Sequence, residues 1–193
     1  MLKTINICKS FGDNTVLKNF THDFSDGKVT AVLGASGCGK STLLSILMGL
    51  SLPDSGEVVG NDCKLSAVFQ EDRLCENLTV SANIRLVTGK KYSKAEINSE
   101  LAALGLSECS EQPVRTLSGG MKRRTALLRA LLAEYEILFL DEPFKGLDTD
   151  TKQTVIEYCR RKIEGKTVVF VTHDMEECNA FADDIIRLEN NNS

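Results

Sequence analysis

The residues best suited to chemistry begin with a glycine-rich loop that ends in lysine and serine. Residues 34–41 have the sequence GASGCGKS, a full match to the pattern G-x-x-x-x-G-K-[ST]. Glycines at these positions let backbone N–H groups converge on phosphate oxygens, and a helix that follows presents its positive end to the same anion. This phosphate loop therefore predicts that Lys40 reaches the terminal phosphates of a nucleotide and that Ser41 places its hydroxyl on a magnesium ion.

A second reactive group lies where an apolar segment ends in two carboxylates. Residues 136–143 have the sequence EILFLDEP, and a continuous apolar run is typical of a parallel strand buried on both faces. Ligands of open α/β sheets bind at the carboxyl ends of such strands. We therefore expect Asp141 to hold magnesium through water and Glu142 to polarise an attacking water. Such a strand end is weak evidence alone and strong evidence beside a phosphate loop.

The LSGGM segment, residues 117–121, predicts a second helix start suited to an anion. Ser118 is a preferred N-cap residue, and Gly119 and Gly120 leave the backbone N–H groups uncovered. A nucleotide already held by one phosphate loop does not need this second start. Two identical chains arranged head to tail use both, because each loop then meets the other chain's LSGGM segment across a two-fold axis. The sequence thus predicts a dimer that forms on nucleotide binding.

The elements that position these residues follow strand and helix signals along the chain. Alternating residues predict antiparallel strands over 1–28 with a turn at 12–14, and Ser93 begins a capping box. The remaining predicted elements are a strand at 29–33, a helix at 41–50, short strands from the turn at 53–56 to residue 70, helices at 79–86 and 93–104, a strand at 137–141, a helix at 149–164, a strand at 167–172, a helix at 174–182 and a strand at 184–188.

The order and spacing of these motifs resemble the nucleotide-binding subunit of ABC transporters over essentially all 193 residues. A later VTHDMEE segment at 171–177 completes the resemblance. It implies an α/β P-loop NTPase of ABC type, with a mostly parallel core sheet, an N-terminal antiparallel β subdomain and an inserted helical subdomain. We expect one ABC ATPase domain over 1–193 with its core at 1–70 and 117–193, its helical subdomain at 72–116, and no regulatory C-terminal domain.

The resemblance also implies roles for single residues. Gln70 contacts magnesium and the attacking water, Asp148 lies across the dimer interface, His173 contacts the γ-phosphate and Phe11 stacks on adenine. The LSGGM segment contacts the ATP bound to the opposite subunit. Catalysis is implied for Lys40, Gln70, Glu142 and His173, and magnesium binding for Ser41, Gln70 and Asp141. The residues implied to bind ATP are Phe11, Gly34, Ala35, Ser36, Gly37, Cys38, Gly39, Lys40, Ser41, Thr42, Ser118, Gly119, Gly120 and Asp148.

Departures from the family pattern favour import over export. Met121 stands where glutamine is usual, and the nitrate, sulfonate and taurine importer branch often carries methionine there. The glutamate-rich stretch that exporters often carry before this segment is not evident in residues 111–116. The resemblance implies a homodimer on ATP binding, integral membrane permease subunits, a solute-binding protein, and a place on the cytoplasmic face of the membrane.

Three alternatives remain open: an ABC exporter subunit, a soluble ABC ATPase of DNA repair or translation, and a small-substrate kinase. The soluble ATPases usually carry a long coiled-coil insertion or two cassettes, and a kinase has no need of the LSGGM segment. Phe11 is compatible with a core position as well as with stacking, and His22 is interpreted as an ordinary strand or surface residue. Co-purification with a polytopic membrane partner distinguishes a transporter subunit from the soluble classes.

Composition excludes several other classes. The net charge of −4 argues against nucleic acid as a partner, so a solvated helix face is predicted for the basic cluster of Lys122, Arg123, Arg124 and Arg129. The seven cysteines include no C-x-x-C pair, so neither a zinc site nor a disulfide framework is predicted and a reducing compartment is expected. No apolar stretch reaches the roughly 18 residues of a membrane span.

Overall fold

A computed structural model describes residues 1–189 of the protein. The chain forms two compact units. Unit 1 comprises Met1–Leu65, Tyr135–Glu142 and, among the described residues, 165–189, and unit 2 comprises Ser66–Glu134 and Pro143–Glu164. The sequence ends in a polar tail at 189–193, which lies, from residue 190, outside the described residues.

Unit 1 is built on parallel strands, most of which are apolar. The strands β3 (Val29–Leu33), β6 (Ile137–Asp141), β7 (Thr167–Thr172) and β8 (Asp184–Arg187) lie side by side in the order β6-β7-β3-β8. All residues of β6 and β7 are buried, as a continuous apolar run requires. The helices α1 (Lys40–Leu47) and α6 (Met175–Phe181) contact this sheet. The carboxyl ends of β3, β6 and β7 consequently meet at one edge.

A separate antiparallel sheet in unit 1 carries the N-terminal residues. It has the order β2-β1-β4, formed by β1 (Leu2–Phe11), β2 (Asn14–Phe24) and β4 (Ser55–Val59). The β1–β2 turn uses Gly12 at φ 60°, a backbone conformation that glycine adopts without a Cβ penalty. The predicted antiparallel start and its turn are confirmed.

Unit 2 is mainly helical. It contains α2 (Val80–Thr88), α3 (Lys94–Ala103), α4 (Gly119–Leu132) and α5 (Thr149–Lys162), with short 3₁₀ helices at Ser107–Cys109 and Val114–Thr116 that the sequence pattern did not predict. The strand β5 (Leu65–Val68) begins at the last residue of the first segment of unit 1 and continues into unit 2. The predicted capping box is confirmed, because Ser93 and Glu96 exchange side-chain and backbone hydrogen bonds at the start of α3.

The observed elements support the predicted class of an α/β chain with a mostly parallel core sheet. The assignment of residues 72–116 to an inserted helical subdomain stays a prediction. Among the helices within residues 1–189, none is both long enough and apolar enough to cross a membrane.

Candidate functional site

The phosphate loop joins β3 to α1 and folds around its own lysine. Lys40 is the first residue of α1, is only 6% exposed, and donates from Nζ to the carbonyl oxygens of Gly34 and Ala35 at 2.8 Å each. The residue before it, Gly39, caps the helix at φ 101° without a side-chain hydrogen bond. Because the first N–H groups of a helix have no intrahelical partner, α1 offers its donors and positive end to an anion beside the Lys40 ammonium.

Two of the loop glycines are required by close backbone contacts. A Cβ on Gly34 would lie 2.6 Å from both the Leu188 carbonyl oxygen and the Cys38 sulfur. A Cβ on Gly39 would lie 3.0 Å from the Val16 carbonyl oxygen, at a φ that L residues rarely adopt. The path of the loop is therefore fixed by the surrounding backbone before any ligand arrives, and the Cys38 thiol is buried.

The end of β6 brings a carboxylate pair to the edge of the sheet next to the phosphate loop. Asp141 is the last residue of β6 and is 8% exposed, and Glu142 follows it directly. The neighbouring strand β7 ends at Thr172, whose carbonyl oxygen accepts a hydrogen bond from Gly34 N at 3.3 Å. Strand pairing therefore places Asp141, Glu142 and the start of the loop at the same edge of unit 1.

Glu142 and His173 form a direct side-chain contact. His173 Nδ1 lies 3.1 Å from Glu142 Oε1, and the imidazole is 61% exposed whereas the Glu142 side chain is mostly covered. With its proton on Nδ1 the imidazole donates to the carboxylate, which fixes the orientation of both groups. The sequence assigned a role to each residue, but it gave no signal that the two are in contact.

Glu142 holds a strained backbone. Its φ of 46° lies in the left-handed region, although it is neither glycine nor asparagine and precedes a proline. Its backbone N–H donates to the Val171 carbonyl oxygen at 3.0 Å. Such a conformation costs on the order of 1–3 kcal/mol and is concentrated at functional sites, where the surrounding structure holds it.

The turn that carries His173 is pinned by short hydrogen bonds on both sides. Thr172 Oγ1 donates to Glu177 Oε2 at 2.6 Å and accepts from Asp174 N at 3.1 Å. Asp174 in turn caps α6 by accepting from Glu176 N at 2.8 Å. Hydrogen bonds of the residues on both sides of His173 therefore hold the backbone that carries its exposed ring.

Phe11 is a surface residue and not part of the core. It ends β1 with 58% of the residue exposed, and Lys9 Nζ lies 5.5 Å from its ring centroid. The alternative of a core position is therefore wrong. Its stacking on adenine stays a prediction.

The residues near the start of α1 and the end of β6 fit a magnesium ion that arrives with a nucleotide. Ser41 lies in the first turn of α1, and Asp141 supplies a carboxylate at the end of β6. Within residues 1–189 no group of three or more His, Cys, Asp or Glu side chains could hold a metal ion. Magnesium is usually bound by one or two carboxylates together with substrate phosphates, so this donor set suits it.

In unit 2 the LSGGM segment starts α4 as predicted. Ser118 is the N-cap, and its Oγ accepts from Met121 N at 3.3 Å. A Cβ on Gly119 would meet nothing within 4 Å, so the fold of the single chain does not need glycine there. Asp148 caps α5 by accepting from Thr151 N at 3.0 Å, and this hydrogen bond lowers the pKa of the Asp148 carboxyl.

The predicted solvated face of α4 is wrong. Arg123 is 4% exposed and donates to the carbonyl oxygens of Phe69 and Gln70, and Arg129 donates to those of Asp72 and Arg73. The net charge of the chain suggested a face in water, whereas these guanidinium groups satisfy the carbonyl oxygens of a loop in the same unit. Burial raises the pKa of the Asp72 carboxyl, opposed most strongly by the charge of Arg123.

Arg124 and Lys122, the other members of the basic cluster, also have partners. Arg124 donates to the Leu104 carbonyl oxygen at 2.6 Å, and Lys122 pairs with Glu76 at 3.0 Å.

Gln70 itself is exposed and follows β5 closely. Unit 2 thus collects Gln70, the LSGGM segment and Asp148, and unit 1 collects the phosphate loop, Asp141, Glu142, His173 and Phe11.

The chain is similar to known proteins over nearly its whole length. It is 41% identical over 192 residues to an aliphatic sulfonates import ATP-binding protein, SsuB 1, of Agrobacterium fabrum, which covers 95% of this chain and 69% of that protein. It is 37% identical over 198 residues to the sulfate/thiosulfate import ATP-binding protein CysA of Thermosynechococcus vestitus, covering 94% of this chain. The chain spans only 59% of the length of that relative.

Solved structures resemble the fold equally well. The dimeric structure of MJ0796, described as a bacterial ABC transporter cassette, matches with a TM-score of 0.84 at 30% identity and covers 98% of this chain and 95% of that one. A dimeric post-hydrolysis state of the same cassette, bound to ADP and Pi, matches with a TM-score of 0.84 at 31% identity, covering 99% of this chain and 97% of that one. The family model described as ABC transporter matches residues 17–145. The chain therefore belongs to the ABC transporter family and has the α/β P-loop fold of its ATP-binding cassettes.

Proposed function

We propose that this chain is the ATP-binding and ATP-hydrolysing subunit of an ABC importer. In this proposal two copies bind MgATP head to tail and couple its hydrolysis to solute movement through separate membrane permease subunits. The observation that carries the proposal is the arrangement in unit 1. There a buried phosphate-loop lysine and the Glu142–His173 pair stand at one edge of a parallel sheet.

The chemistry follows from charge and position. Phosphoryl transfer has little covalent chemistry for a protein to perform, so the work lies in positioning and in electrostatic stabilisation. Lys40 and the donors at the start of α1 neutralise the terminal phosphates. Ser41 and Asp141 of unit 1 would hold a magnesium ion, which would further neutralise the phosphate charge, and the family resemblance assigns Gln70 to the same ion.

The nucleophile is water, and Glu142 is the group proposed to orient it. Its carboxylate accepts a proton or a hydrogen bond from that water, and the imidazole of His173 holds the carboxylate through Oε1 while its exposed side remains available to the γ-phosphate. The strain at Glu142 supports this role, because the backbone conformation is retained at an energetic cost.

The dimer is supported by the LSGGM segment and by the solved relatives. Ser118 caps α4, and the open space around Gly119 leaves room for a phosphate of another chain to approach the backbone. Both MJ0796 structures are described as dimeric. In the proposed dimer each phosphate loop meets the partner's LSGGM segment, and Asp148 lies at the interface.

Import is supported by the names of the relatives and by Met121. The similar proteins are import ATP-binding subunits for sulfate/thiosulfate and for aliphatic sulfonates. We therefore place this chain at the cytoplasmic face of the membrane, with permease subunits and a solute-binding protein as partners. Co-purification of the tagged chain from membranes with a polytopic subunit supports this assignment. Recovery as a fully active enzyme with no membrane partner contradicts it.

The ATPase is tested with Glu142→Gln, which keeps the shape of the side chain and removes its negative charge. We expect ATP binding to persist, hydrolysis to fall by at least about 100-fold, and a stable dimer to accumulate with ATP but not with ADP. Size-exclusion chromatography with light scattering measures the dimer, and phosphate release measures turnover. Glu57→Gln, an exposed change on β4, is the matched control. If Glu142→Gln hydrolysed ATP at the wild-type rate, Glu142 would not be the residue that orients the attacking water.

A further inference from the structure

The segment that carries Gln70 is held by an arginine of α4. Arg123 Nη1 donates to the Phe69 carbonyl oxygen at 2.7 Å, and Nη2 donates to the Gln70 carbonyl oxygen at 3.1 Å. The same Nη1 lies 3.1 Å from Asp72 Oδ1. One guanidinium therefore contacts three residues, Phe69, Gln70 and Asp72, of the segment 69–73, which we call the Gln70 segment.

A second arginine closes the other end of the Gln70 segment. Arg129 Nη1 donates to the Arg73 carbonyl oxygen at 3.0 Å and Nη2 to that of Asp72 at 3.3 Å. Arg73 has φ 46°, a conformation that a residue with a side chain adopts only when its surroundings hold it. Its guanidinium stacks over the Phe69 ring at 3.7 Å from the centroid. The segment is thus a compact loop tied to α4 at both ends.

Because of these contacts, loss of the Arg123 side chain is expected to destabilise the protein. It is 4% exposed, so its charge is withdrawn from water and compensated by two carbonyl oxygens and one carboxylate. Planar, forked donors match such a set of acceptors, whereas a lysine can satisfy only part of it. The side chain of Gln70, in contrast, is exposed and contributes nothing to this packing. The backbone of Gln70 is fixed while its amide remains available to a ligand.

We propose that Arg123 is a positioning residue for Gln70. Its guanidinium fixes the Gln70 segment and so fixes the backbone that carries the Gln70 amide, the group that the family resemblance assigns to magnesium and the attacking water. This inference rests on the proposed ATPase function for its kinetic consequence, but its structural part is independent of that function. Because Ser118 is the N-cap of α4, the same contacts join the helix of the LSGGM segment to the Gln70 segment within unit 2.

The structural part is tested by hydrogen exchange in the absence of nucleotide. In Arg123→Gln we expect the amides of residues 69–75 to exchange at least about tenfold faster, because two charge-assisted hydrogen bonds are lost. Arg123→Lys, which keeps the charge, gives an intermediate rate. Arg85→Gln, a change of an exposed arginine on α2 of the same unit, leaves exchange in 69–75 unchanged. Unchanged exchange in Arg123→Gln overturns the proposal, whether or not the chain hydrolyses ATP.

The kinetic part is tested by a double-mutant cycle with Gln70→Ala. We expect Arg123→Gln to lower kcat about tenfold with little change in KM, since ATP is held mainly by the phosphate loop. In the Gln70→Ala background the same change has no further effect on kcat, because Arg123 acts through Gln70. Equal, additive losses in both backgrounds overturn the positioning role. If the wild-type chain did not hydrolyse ATP, the proposed function would be wrong. The hydrogen-exchange experiment would still test whether Arg123 fixes the Gln70 segment.

Discussion

Within residues 1–189, two helix starts are suited to phosphate, and they are built differently. At the start of α1 in unit 1 the cap is Gly39, with no side-chain hydrogen bond, and the next residue is the buried Lys40. At the start of α4 in unit 2 the cap is Ser118, whose hydroxyl already accepts from Met121 N, and no cation lies in the first two helical positions, Gly119 and Gly120. The first start combines charge with free donors, whereas at the second the nearest cation, Lys122, is already paired with Glu76.

This difference indicates that the two helix starts have different functions. A helix start that includes a charged, pre-positioned lysine can bind a nucleotide by itself, because charge-assisted hydrogen bonds are about twice as strong as neutral ones. A neutral start is too weak to recruit a nucleotide alone and acts on one that is already bound. We therefore infer that the phosphate loop determines the affinity of the single chain for ATP, and that the LSGGM segment determines whether two ATP-bound chains associate.

Lys40→Ala tests the first half of this comparison and has the largest expected effect. Loss of the ammonium removes the charge that neutralises the terminal phosphates, so ATP hydrolysis falls by about 1,000-fold and ATP affinity falls with it. Isothermal titration with ATP and phosphate release measure both quantities. Lys18→Ala, on the exposed part of β2, serves as the control. If the Lys40→Ala monomer bound ATP as tightly as the wild-type chain, the charge at the start of α1 would not determine ATP affinity.

Gly119→Ala tests the second half, with two effects of opposite sign. A Cβ at Gly119 meets nothing within 4 Å, and alanine favours a helix, so the free energy of unfolding rises by up to about 0.5 kcal/mol. The same methyl group obstructs a phosphate of the partner's nucleotide, so ATP-driven dimerisation weakens by about tenfold. Thermal unfolding and light scattering with ATP give the two values, and ATP affinity of the monomer is the internal control. Unchanged dimerisation would show that Gly119 does not face a ligand.

Phe11→Ala tests whether Phe11 stacks on adenine, and it has the smallest expected effect of these substitutions. The ring is exposed, so its loss leaves the free energy of unfolding nearly unchanged. Loss of stacking on adenine raises the KM for ATP by about three- to tenfold and leaves kcat unchanged. Steady-state kinetics with ATP measure this change. An equal rise in KM for a triphosphate without an aromatic base would show that Phe11 does not act on the adenine.

The local parts of both helix starts could be predicted from the sequence. The phosphate loop, the strand before it and the cap at Ser118 each depend on residues close together in the chain, and local sequence carries that information. The end of β6 at Asp141 was predictable for the same reason, since a continuous apolar run that stops at carboxylates marks a buried strand.

Contacts between distant segments could not be predicted in the same way. The meeting of Glu142 and His173 depends on the pairing of β6 with β7, which strand signals alone do not specify. Arg123 was assigned to water because basic residues usually lie there. Nothing in its neighbourhood along the chain shows that the carbonyl oxygens of Phe69 and Gln70 need donors. The satisfaction of loop carbonyl groups is a tertiary property.

The central claim, that one copy of this chain supplies half of each site, is tested most directly by mixing two defective variants. Lys40→Ala chains lack a working phosphate loop, and Gly120→Asp chains place a negative charge at the start of α4, so neither hydrolyses ATP alone. In a mixed head-to-tail dimer one site combines the intact loop of one chain with the intact LSGGM segment of the other. We expect an equimolar mixture to recover about a quarter of the wild-type rate per chain if the chains pair at random. A rate no higher than the sum of the two separate variants would contradict the account.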